Sequence, residues 1–354
     1  MSAAPGISEA SSVDETLDSC RRLVTPALRD AVRRLPPEVG EIAEFSFGWR
    51  DRDGTPRESG GGKGLRLALA VLSTQAVGAD SRNAIAGAVA VELIHAFSLV
   101  HDDIMDGDEQ RRHQDAVWKA YGIGPAVLVG DGLLALALDS LARAASDETR
   151  HLAMASVSAA LIELVNGQAQ DLSFETRPWT GPRAVTVEEY TGMAGGKTGA
   201  LLGCAAGLGA LLGGAPAEVV AALNRMGRHL GLAFQAVDDL LGIWGDPAVT
   251  GKPVYNDLRQ RKKTLPIVSV LEAGTASAQR LLALLEPEDC GPSPEANLRA
   301  AADLISDAGG RSFTAASAER HVDRALEIVS EVAVDPSAAF ALTELSRFAV
   351  NRSH

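Results

Sequence analysis

Apolar residues recur at three- and four-residue spacing along most of the chain, and this pattern constrains the fold more than any other feature. The spacing covers the segments Leu17–Leu35, Leu65–Val77, Ala84–Ile104, Ala126–Ala144, His151–Val165, Ala217–Trp244 and Leu265–Glu272. It places the apolar side chains on one face of an α-helix, and the alternation typical of strands is nearly absent. Aromatic residues make up only 4% of the chain, and small aliphatic residues suit close helix packing. The sequence therefore predicts an all-α fold of ten or more helices.

Turn-forming residues separate the predicted helices without forming a long linker. They concentrate at Pro36–Pro37, Asp51–Gly62, Arg177–Arg183, Gly245–Pro253 and Glu286–Pro294, where turn chemistry is dense. None of these breaks is long enough to separate two domains. We therefore expect a disordered N-terminus over residues 1–14 and a single domain over residues 15–354.

Charge and cysteine content limit the classes of function. The chain has 46 acidic and 33 basic residues and a net charge of −13, which argues against nucleic-acid binding. Cys20, Cys204 and Cys290 are too scattered for a disulfide framework and fit a reducing cytoplasm. The most apolar stretches, residues 84–100 and 199–214, contain Glu and His or consist largely of Ala and Gly. We therefore expect a cytoplasmic protein without a membrane span.

One apolar helix ends in the carboxylates Asp102, Asp103 and Asp106. Asp102 and Asp106 are four residues apart, so they share a helix face, where two like charges repel unless a cation binds both. Carboxylates at the end of a buried helix also require compensation. This spacing indicates a magnesium site.

A second apolar helix ends in Asp238 and Asp239, and Gln235 lies three residues before the pair. Two such helices would hold one metal cluster from opposite sides. Mg²⁺ is commonly bound by one or two carboxylates together with substrate phosphates. The expected ligand is therefore a diphosphate.

Basic residues accompany both acidic motifs, although a single basic residue is more often a solvated surface charge. Lys63 and Arg66 begin a helix whose N-terminal amides favour an anion. The glycine-rich run before Lys63 is not a P-loop, because no Ser or Thr follows the lysine. The other basic residues of this kind are Arg111, Arg112, Lys197, Lys252, Arg259, Lys262 and Lys263. In so acidic a chain, their clustering favours diphosphate binding.

These elements, in this order from about Gly60 to Pro266, resemble the trans-isoprenyl diphosphate synthases of the polyprenyl synthetase family. The matches are GKxxR at residues 62–66, His95, DDxxD at 102–106, the arginine pair 111–112, GQxxDL at 167–172, KT at 197–198, FQxxDD at 234–239, GKP at 251–253 and KKTLP at 262–266. The resemblance implies an isoprenoid-synthase-type helical bundle around a central cavity. It also implies a homodimer that condenses an allylic diphosphate with isopentenyl diphosphate.

The resemblance further implies two diphosphate sites and assigns residues to each. In the allylic site, about three Mg²⁺ ions, or alternatively Mn²⁺, would be held by Asp102, Asp106 and Asp238, with Arg111, Lys197 and Lys252 on the phosphate oxygens. Lys262 is a further substrate-binding residue, without assignment to one of the two sites. In the homoallylic site, Lys63, Arg66, His95 and Arg112 would bind isopentenyl diphosphate without metal. Gln235, Thr198 and backbone carbonyls near Gly195–Gly196 would stabilise the allyl cation with mild dipoles.

The arrangement of the residues before the first motif resembles that of short-chain synthases, which implies a product of C15 to C20, with geranylgeranyl diphosphate favoured. Ser98 lies four residues before Asp102 and leaves room for the growing chain, whereas Phe97 would be a bulky floor below it. Ordinary core packing of Phe97, with the chain length set elsewhere, is the alternative.

The second motif departs from DDxxD, because Gly242 occupies its fifth position. We expect magnesium binding to survive there, since Asp238 is the expected direct ligand.

Two other functions remain open from the sequence. A class I terpene cyclase of the same fold would use the same metal cluster, but it would have no use for Lys63, Arg66 and His95. A non-catalytic partner subunit of a synthase would have no reason to retain both acidic motifs. Both alternatives are therefore less favoured than a prenyltransferase.

Overall fold

The computed structural model describes residues 12–57, 64–111, 114–144, 147–247, 251, 253–286 and 295–350. Helices dominate this part of the chain. They are α1 (Val13–Val32), α2 (Pro37–Ser46), α3 (Leu65–Ala76), a 3₁₀ turn (Ser81–Ala84), α4 (Ile85–Asp106), α5 (Val117–Tyr121), α6 (Ile123–Ala144), α7 (Asp147–Thr176), α8 (Val187–Ala194), a π-helix (Gly195–Gly199), α9 (Ala200–Leu212), α10 (Ala217–Trp244), α11 (Asn256–Arg259), α12 (Leu265–Glu272), α13 (Ala276–Leu285), α14 (Glu295–Asp307), α15 (Gly310–Val332) and α16 (Pro336–Val350). Strands β1 (Gln110–Arg111) and β2 (Gln114–Asp115) form a short antiparallel pair. The all-α prediction is confirmed.

Helix boundaries differ from the predicted ones where polar residues decide them. Helix α1 begins at Val13 because Ser12 forms a capping box: its hydroxyl accepts from the Glu15 amide at 3.2 Å, and its own amide donates to the Glu15 carboxylate at 2.8 Å. Val13 and Asp14 are therefore helical, although the sequence analysis places them in the N-terminal lead-in. Helix α7 continues past the predicted end at Val165 to Thr176, over a polar stretch that obscures the apolar spacing.

The chain divides into two compact units. Unit 1 comprises residues 1–159, 201–227 and 328–345, and unit 2 comprises residues 160–200, 228–327 and 346–354. In unit 1, α4 packs along α6, with α1 and α3 also against α4. The core of this unit includes the fully buried Leu69 and Leu72 of α3 and Leu93 and Ile94 of α4. This packing fixes the C-terminal end of α4, which carries the first acidic motif.

Two apolar clusters in unit 2 hold the C-terminal part of α10. Ile243 packs in a cluster with Leu258 of α11 and Ile267 of α12. About two turns earlier on α10, Ala236 and Val237 pack with a second cluster that contains Phe174, Val185, Tyr190, Met193, Leu265 and Val268. The second acidic motif therefore lies between two points of α10 that are each fixed by an apolar cluster.

Several helices of the described chain are long and apolar. Stretches Ser81–Asp106, Ile123–Arg143, Thr149–Thr176 and Val187–Leu212 would each be able to cross a membrane, judged by length and composition alone. The expectation that the chain has no membrane span therefore stays a prediction.

Candidate active site

The first acidic motif lies at the end of α4, and its middle residue is buried against an arginine. Asp103 is only 2% exposed, and both of its oxygens accept from Nε of Arg111 at 2.9 Å, while Nη2 donates to Oδ1 at 2.5 Å. A left-handed glycine, Gly107, ends α4 and lets the chain return to β1, which carries Arg111. Burial raises the pKa of the Asp103 carboxyl, and the Arg111 guanidinium opposes that rise. Asp102 and Asp106 are half-buried.

The structure brings Arg66 and His95 together. Nη1 of Arg66 on α3 lies 3.1 Å from Nε2 of His95 on α4. Because a guanidinium can only donate, Nε2 of His95 accepts this hydrogen bond. One turn earlier on α4, the carboxylate of Glu92 accepts from the Leu67 amide at 3.1 Å and so caps the first turn of α3. Lys63, the third residue expected in this group, lies outside the described residues.

Phe97 and Ser98 differ in how they are held. The Ser98 side chain is buried, and its hydroxyl donates to the His95 carbonyl at 3.0 Å. The Phe97 ring is half-buried and packs edge-on against the His101 ring, with centroids 4.8 Å apart. Nε2 of His101 lies 3.3 Å from the Val127 carbonyl on α6. A Cβ atom at Gly130 would overlap the His101 ring, so this glycine provides the space for the histidine that supports Phe97.

A π-helix carries the lysine of the second unit. Lys197 lies within the π-helix Gly195–Gly199, and its Nζ is 2.5 Å from the Asp171 carboxylate on α7. A Cβ atom at Gly167 would overlap the backbone of Lys197. The backbones of α7 and the π-helix can therefore approach this closely only because residue 167 is glycine. Single π-helical turns are frequent at functional sites, and this one includes the glycine pair that is expected to present carbonyls.

Asp239 of the second acidic motif is fixed by uncharged donors. The carboxylate is 2% exposed and accepts from the Tyr190 hydroxyl, from the Leu265 amide at 2.8 Å and from Nε2 of Gln235 at 3.1 Å. The amide oxygen of Gln235 in turn accepts from the Thr198 hydroxyl at 2.9 Å. Burial raises the pKa of Asp239 to about 7 despite these bonds. This network fixes the orientation of the Gln235 amide.

The remaining predicted site residues are either half-buried or outside the described part of the chain. Asp238 and Lys262 are half-buried. Arg112 and Lys252 lie outside the described residues. Within the described part of the chain, no three His, Cys, Asp or Glu side chains group into a preformed metal site.

Sequence reasoning did not identify Glu92, Asp171 and Tyr190 as site residues. Asp171 is the aspartate of the GQxxDL element. A search for a carboxylate partner of Lys197 among the matched elements would have identified it. No local spacing points to Tyr190, because its partner Asp239 lies 49 positions away in the sequence. No sequence signal connects Glu92 to the start of α3, because that contact depends on how α3 and α4 pack.

Comparison with known proteins identifies the family. The profile of the polyprenyl synthetase family matches residues 58–303. The chain belongs to this family. It is 44% identical over 337 residues to a (2E,6E)-farnesyl diphosphate synthase of Mycobacterium tuberculosis, covering 95% of this chain and 92% of that protein.

Two further relatives support the same assignment. A geranylgeranyl diphosphate synthase of M. tuberculosis is 37% identical over 329 residues, covering 93% of this chain and 92% of that protein. The crystal structure of a polyprenyl synthetase from Streptomyces coelicolor A3(2) superposes with a TM-score of 0.89 at 47% identity, covering 96% of this chain and all of that one. The protein is therefore an enzyme of the trans-prenyltransferase family with the isoprenoid synthase fold.

Proposed function

We propose that the protein condenses an allylic diphosphate with isopentenyl diphosphate, head to tail, to an all-trans prenyl diphosphate of C15 to C20. The observation that carries this proposal is the hydrogen bond between Thr198 and Gln235 in unit 2. Thr198 is the residue that follows Lys197 in the sequence. An allyl cation needs oxygen dipoles without a strong nucleophile, and the departing diphosphate needs a preorganised cation. This group of side chains supplies both.

Members of the family use Mg²⁺ to bind diphosphate. We assign about three Mg²⁺ ions, with Mn²⁺ as an alternative, to Asp102, Asp106 and Asp238. The fit rests on the donors: in each motif the second aspartate is already engaged by the protein, Asp103 by Arg111 and Asp239 by Tyr190. The first aspartate of each motif is half-buried, and carboxylate oxygens are ligands that suit Mg²⁺. Bound Mg²⁺ would neutralise the diphosphate and so make it a better leaving group.

Arg111, Lys197 and Lys252 are the cations that we assign to the allylic diphosphate, and Lys262 is a further candidate. Arg111 and Lys197 each have a carboxylate partner, Asp103 and Asp171 respectively. These ion pairs restrict the side chains, so less rotamer freedom is lost when phosphate oxygens bind. Arg111 uses Nε and Nη2 for Asp103, and its remaining N–H groups suit a phosphate.

Isopentenyl diphosphate is assigned to Lys63, Arg66, His95 and Arg112, without metal. The contact of 3.1 Å between Arg66 and His95 supports this assignment, because it places two potential phosphate donors side by side. Glu92 caps the helix that carries Arg66 and thereby fixes where that helix begins.

Product length is assigned to Phe97, with geranylgeranyl diphosphate favoured. The edge contact with His101 supports a rigid floor, since it restricts the ring. Farnesyl diphosphate is the second candidate, because the 44% identical relative is named a farnesyl diphosphate synthase. Phe97→Ala should then lengthen the main product and Ser98→Phe should shorten it by one C5 unit or more. Unchanged products in both variants would contradict the floor model.

We also propose a homodimer in the cytoplasm. The first half of α6 exposes Ile123 at 57%, Val127 at 38% and Leu128 at 61%, and several exposed large apolar residues on one helix are typical of an interface. Within the described residues, Cys20 and Cys204 are buried thiols that take part in no disulfide, which fits a reducing compartment.

One assay tests the proposed function. Purified protein is incubated with Mg²⁺, isopentenyl diphosphate and each of the C5, C10 and C15 allylic diphosphates, and the products are identified by chromatography. We expect prenyl diphosphates of C15 to C20 and none when EDTA removes the metal. A hydrocarbon released without consumption of isopentenyl diphosphate would instead indicate a terpene cyclase.

A further inference from the structure

Gly242 stands where the second DDxxD motif would have its last aspartate. The Asp257 carboxylate occupies the space that a side chain at residue 242 would fill. A Cβ atom at Gly242 would overlap Oδ2 and Cγ of Asp257, and Oδ1 would be only 2.7 Å away. Real Cβ contacts are essentially never this short. The space beside Gly242 is therefore filled by the side chain of a residue that follows fifteen positions later.

The direction of this overlap places Asp257 next to the motif. Residues 238 and 242 are four apart on α10, so they share one helix face. A Cα–Cβ bond in a helix tilts toward the N-terminus, so the Asp257 carboxylate lies on the side of Gly242 that is nearer to Asp238. Consistently, the negative charge of Asp257 adds to burial in raising the pKa of Asp239.

The backbone around Asp257 is held firmly in this position. Tyr255, just before α11, has a left-handed φ of 63°, and its amide donates to the Ile243 carbonyl at 3.1 Å. Arg261, after α11, is also left-handed, with φ of 55°. Such conformations are unfavourable for residues other than glycine and persist only where the surroundings impose them. Leu258, next to Asp257, is buried at 2% exposure in the same cluster as Ile243.

We propose that Asp257 supplies the third carboxylate of the second acidic motif, and that Gly242 is the space that admits it. The assignment of Mg²⁺ and diphosphate as the ligand rests on the proposed function above. In this sequence the last carboxylate of DDxxD is then supplied by Asp257 on α11 and not by residue 242. The number of carboxylates beside Asp238 stays the same.

Mg²⁺-dependent stabilisation by inorganic pyrophosphate tests this proposal without relying on catalysis. The thermal unfolding midpoint is followed as Mg²⁺ is titrated at a fixed pyrophosphate concentration, identical for every variant. Asp257→Asn, which keeps the shape of the side chain and removes its charge, should need about tenfold more Mg²⁺ for the half-maximal shift. Asp303→Asn, an exposed aspartate of α14, is the control and should behave as wild type.

A relocation variant makes the test specific. Gly242→Asp combined with Asp257→Ala returns the carboxylate to its position in DDxxD and should recover most of the Mg²⁺ sensitivity that Asp257→Ala loses. An unchanged Mg²⁺ dependence in Asp257→Asn, or no recovery in the double variant, would overturn the proposal. Asp102→Ala and Asp238→Ala separate the two levels of inference. If they respond to Mg²⁺ and pyrophosphate as wild type does, the metal assignment in the proposed function fails, whatever Asp257 does.

Discussion

The two acidic motifs begin with the same pair of aspartates but bury the second one in different ways. Asp103 faces a guanidinium that donates through two nitrogens. Asp239 accepts only from neutral groups, namely a tyrosine hydroxyl, a backbone amide and a glutamine amide. Both carboxylates are 2% exposed, so the contrast lies in their partners and not in their burial.

Because the two carboxylates are equally buried, the motifs allow the effect of a charged partner to be compared with that of neutral partners. A charged partner favours the ionised carboxylate, whereas neutral donors compensate only part of the desolvation cost. Burial raises the pKa of both groups, and for Asp239 it reaches about 7. In each motif the second aspartate thus orients a neighbour, Arg111 or Gln235, while the first is the one that we propose as a metal ligand. The predictions below test this division of roles.

The largest effect is expected from the first aspartates. Asp102→Ala and Asp238→Ala should each lower kcat about a thousandfold or more, since a metal ligand supports several kcal/mol of transition-state stabilisation. Their free energies of unfolding should remain close to that of the wild type. Steady-state kinetics and urea unfolding measure the two quantities, with Asp303→Ala as control. Near-normal kcat in Asp102→Ala would show that the magnesium site is misplaced.

The next effect is on stability in the first motif. Arg111→Ala leaves the buried Asp103 carboxylate without its charged partner and should lower the free energy of unfolding by about 3 kcal/mol. This is the low end of the range for a buried pair, because the Arg111 side chain is 35% exposed. Urea unfolding is the measurement.

An exposed ion pair provides the matched control for Arg111. Arg324 and Glu327 are 68% and 56% exposed, so Arg324→Ala should change the free energy of unfolding by less than about 0.5 kcal/mol. Equal losses in both arginine variants would contradict the view that Asp103 depends on its charged partner.

The sequence predicted the helices and the motifs well but not their partners. The apolar spacing located α10 and α12 with the bounds that the structure has, because three-and-four spacing is a local property. The position of Asp257 beside Gly242 follows a left-handed turn at Tyr255, and the Tyr190–Asp239 bond joins residues 49 positions apart. Neither contact leaves a local pattern. From the sequence, Gly242 is a departure from DDxxD that should leave magnesium binding intact, whereas the closeness of Asp257 becomes visible only in the fold.

The third prediction concerns pH and Asp239. Its folded pKa of about 7 lies above the ordinary value near 3.8, so between pH 4 and 7 the folded state binds more protons than the unfolded state. The contribution of Asp239 to stability is therefore full below pH 4 and is lost as the pH rises toward 7. Asp239→Asn, which resembles the protonated acid, should abolish this loss.

His321, in the same unit, also changes its protonation on unfolding. The effect of Asp239 must therefore be measured as the difference in unfolding free energy between wild type and Asp239→Asn. Burial lowers the pKa of His321 to about 4, so its contribution to stability is lost as the pH falls through the same window, which opposes the effect of Asp239. Urea unfolding of wild type and Asp239→Asn, without metal, should therefore be compared at each pH between 4 and 8. The advantage of Asp239→Asn over wild type should grow as the pH rises. A difference that stays constant would contradict the raised pKa.

The smallest effect is expected from the neutral partner of Asp239. Tyr190→Phe removes one hydrogen-bond donor but leaves the Leu265 and Gln235 amides on the carboxylate. The loss should be about 1 kcal/mol, because a single uncharged hydrogen bond contributes about that much, and it should be well below the loss in Arg111→Ala. Since the tyrosine hydroxyl opposes the rise in the pKa of Asp239, Tyr190→Phe should raise that pKa further and extend the pH-dependent loss of stability to higher pH. Tyr121→Phe, which removes a hydroxyl in the other unit, should leave the pH profile unchanged. A loss in Tyr190→Phe as large as that in Arg111→Ala would mean that neutral and charged partners compensate a buried carboxylate equally well, and the contrast between the two motifs would then lie in geometry alone.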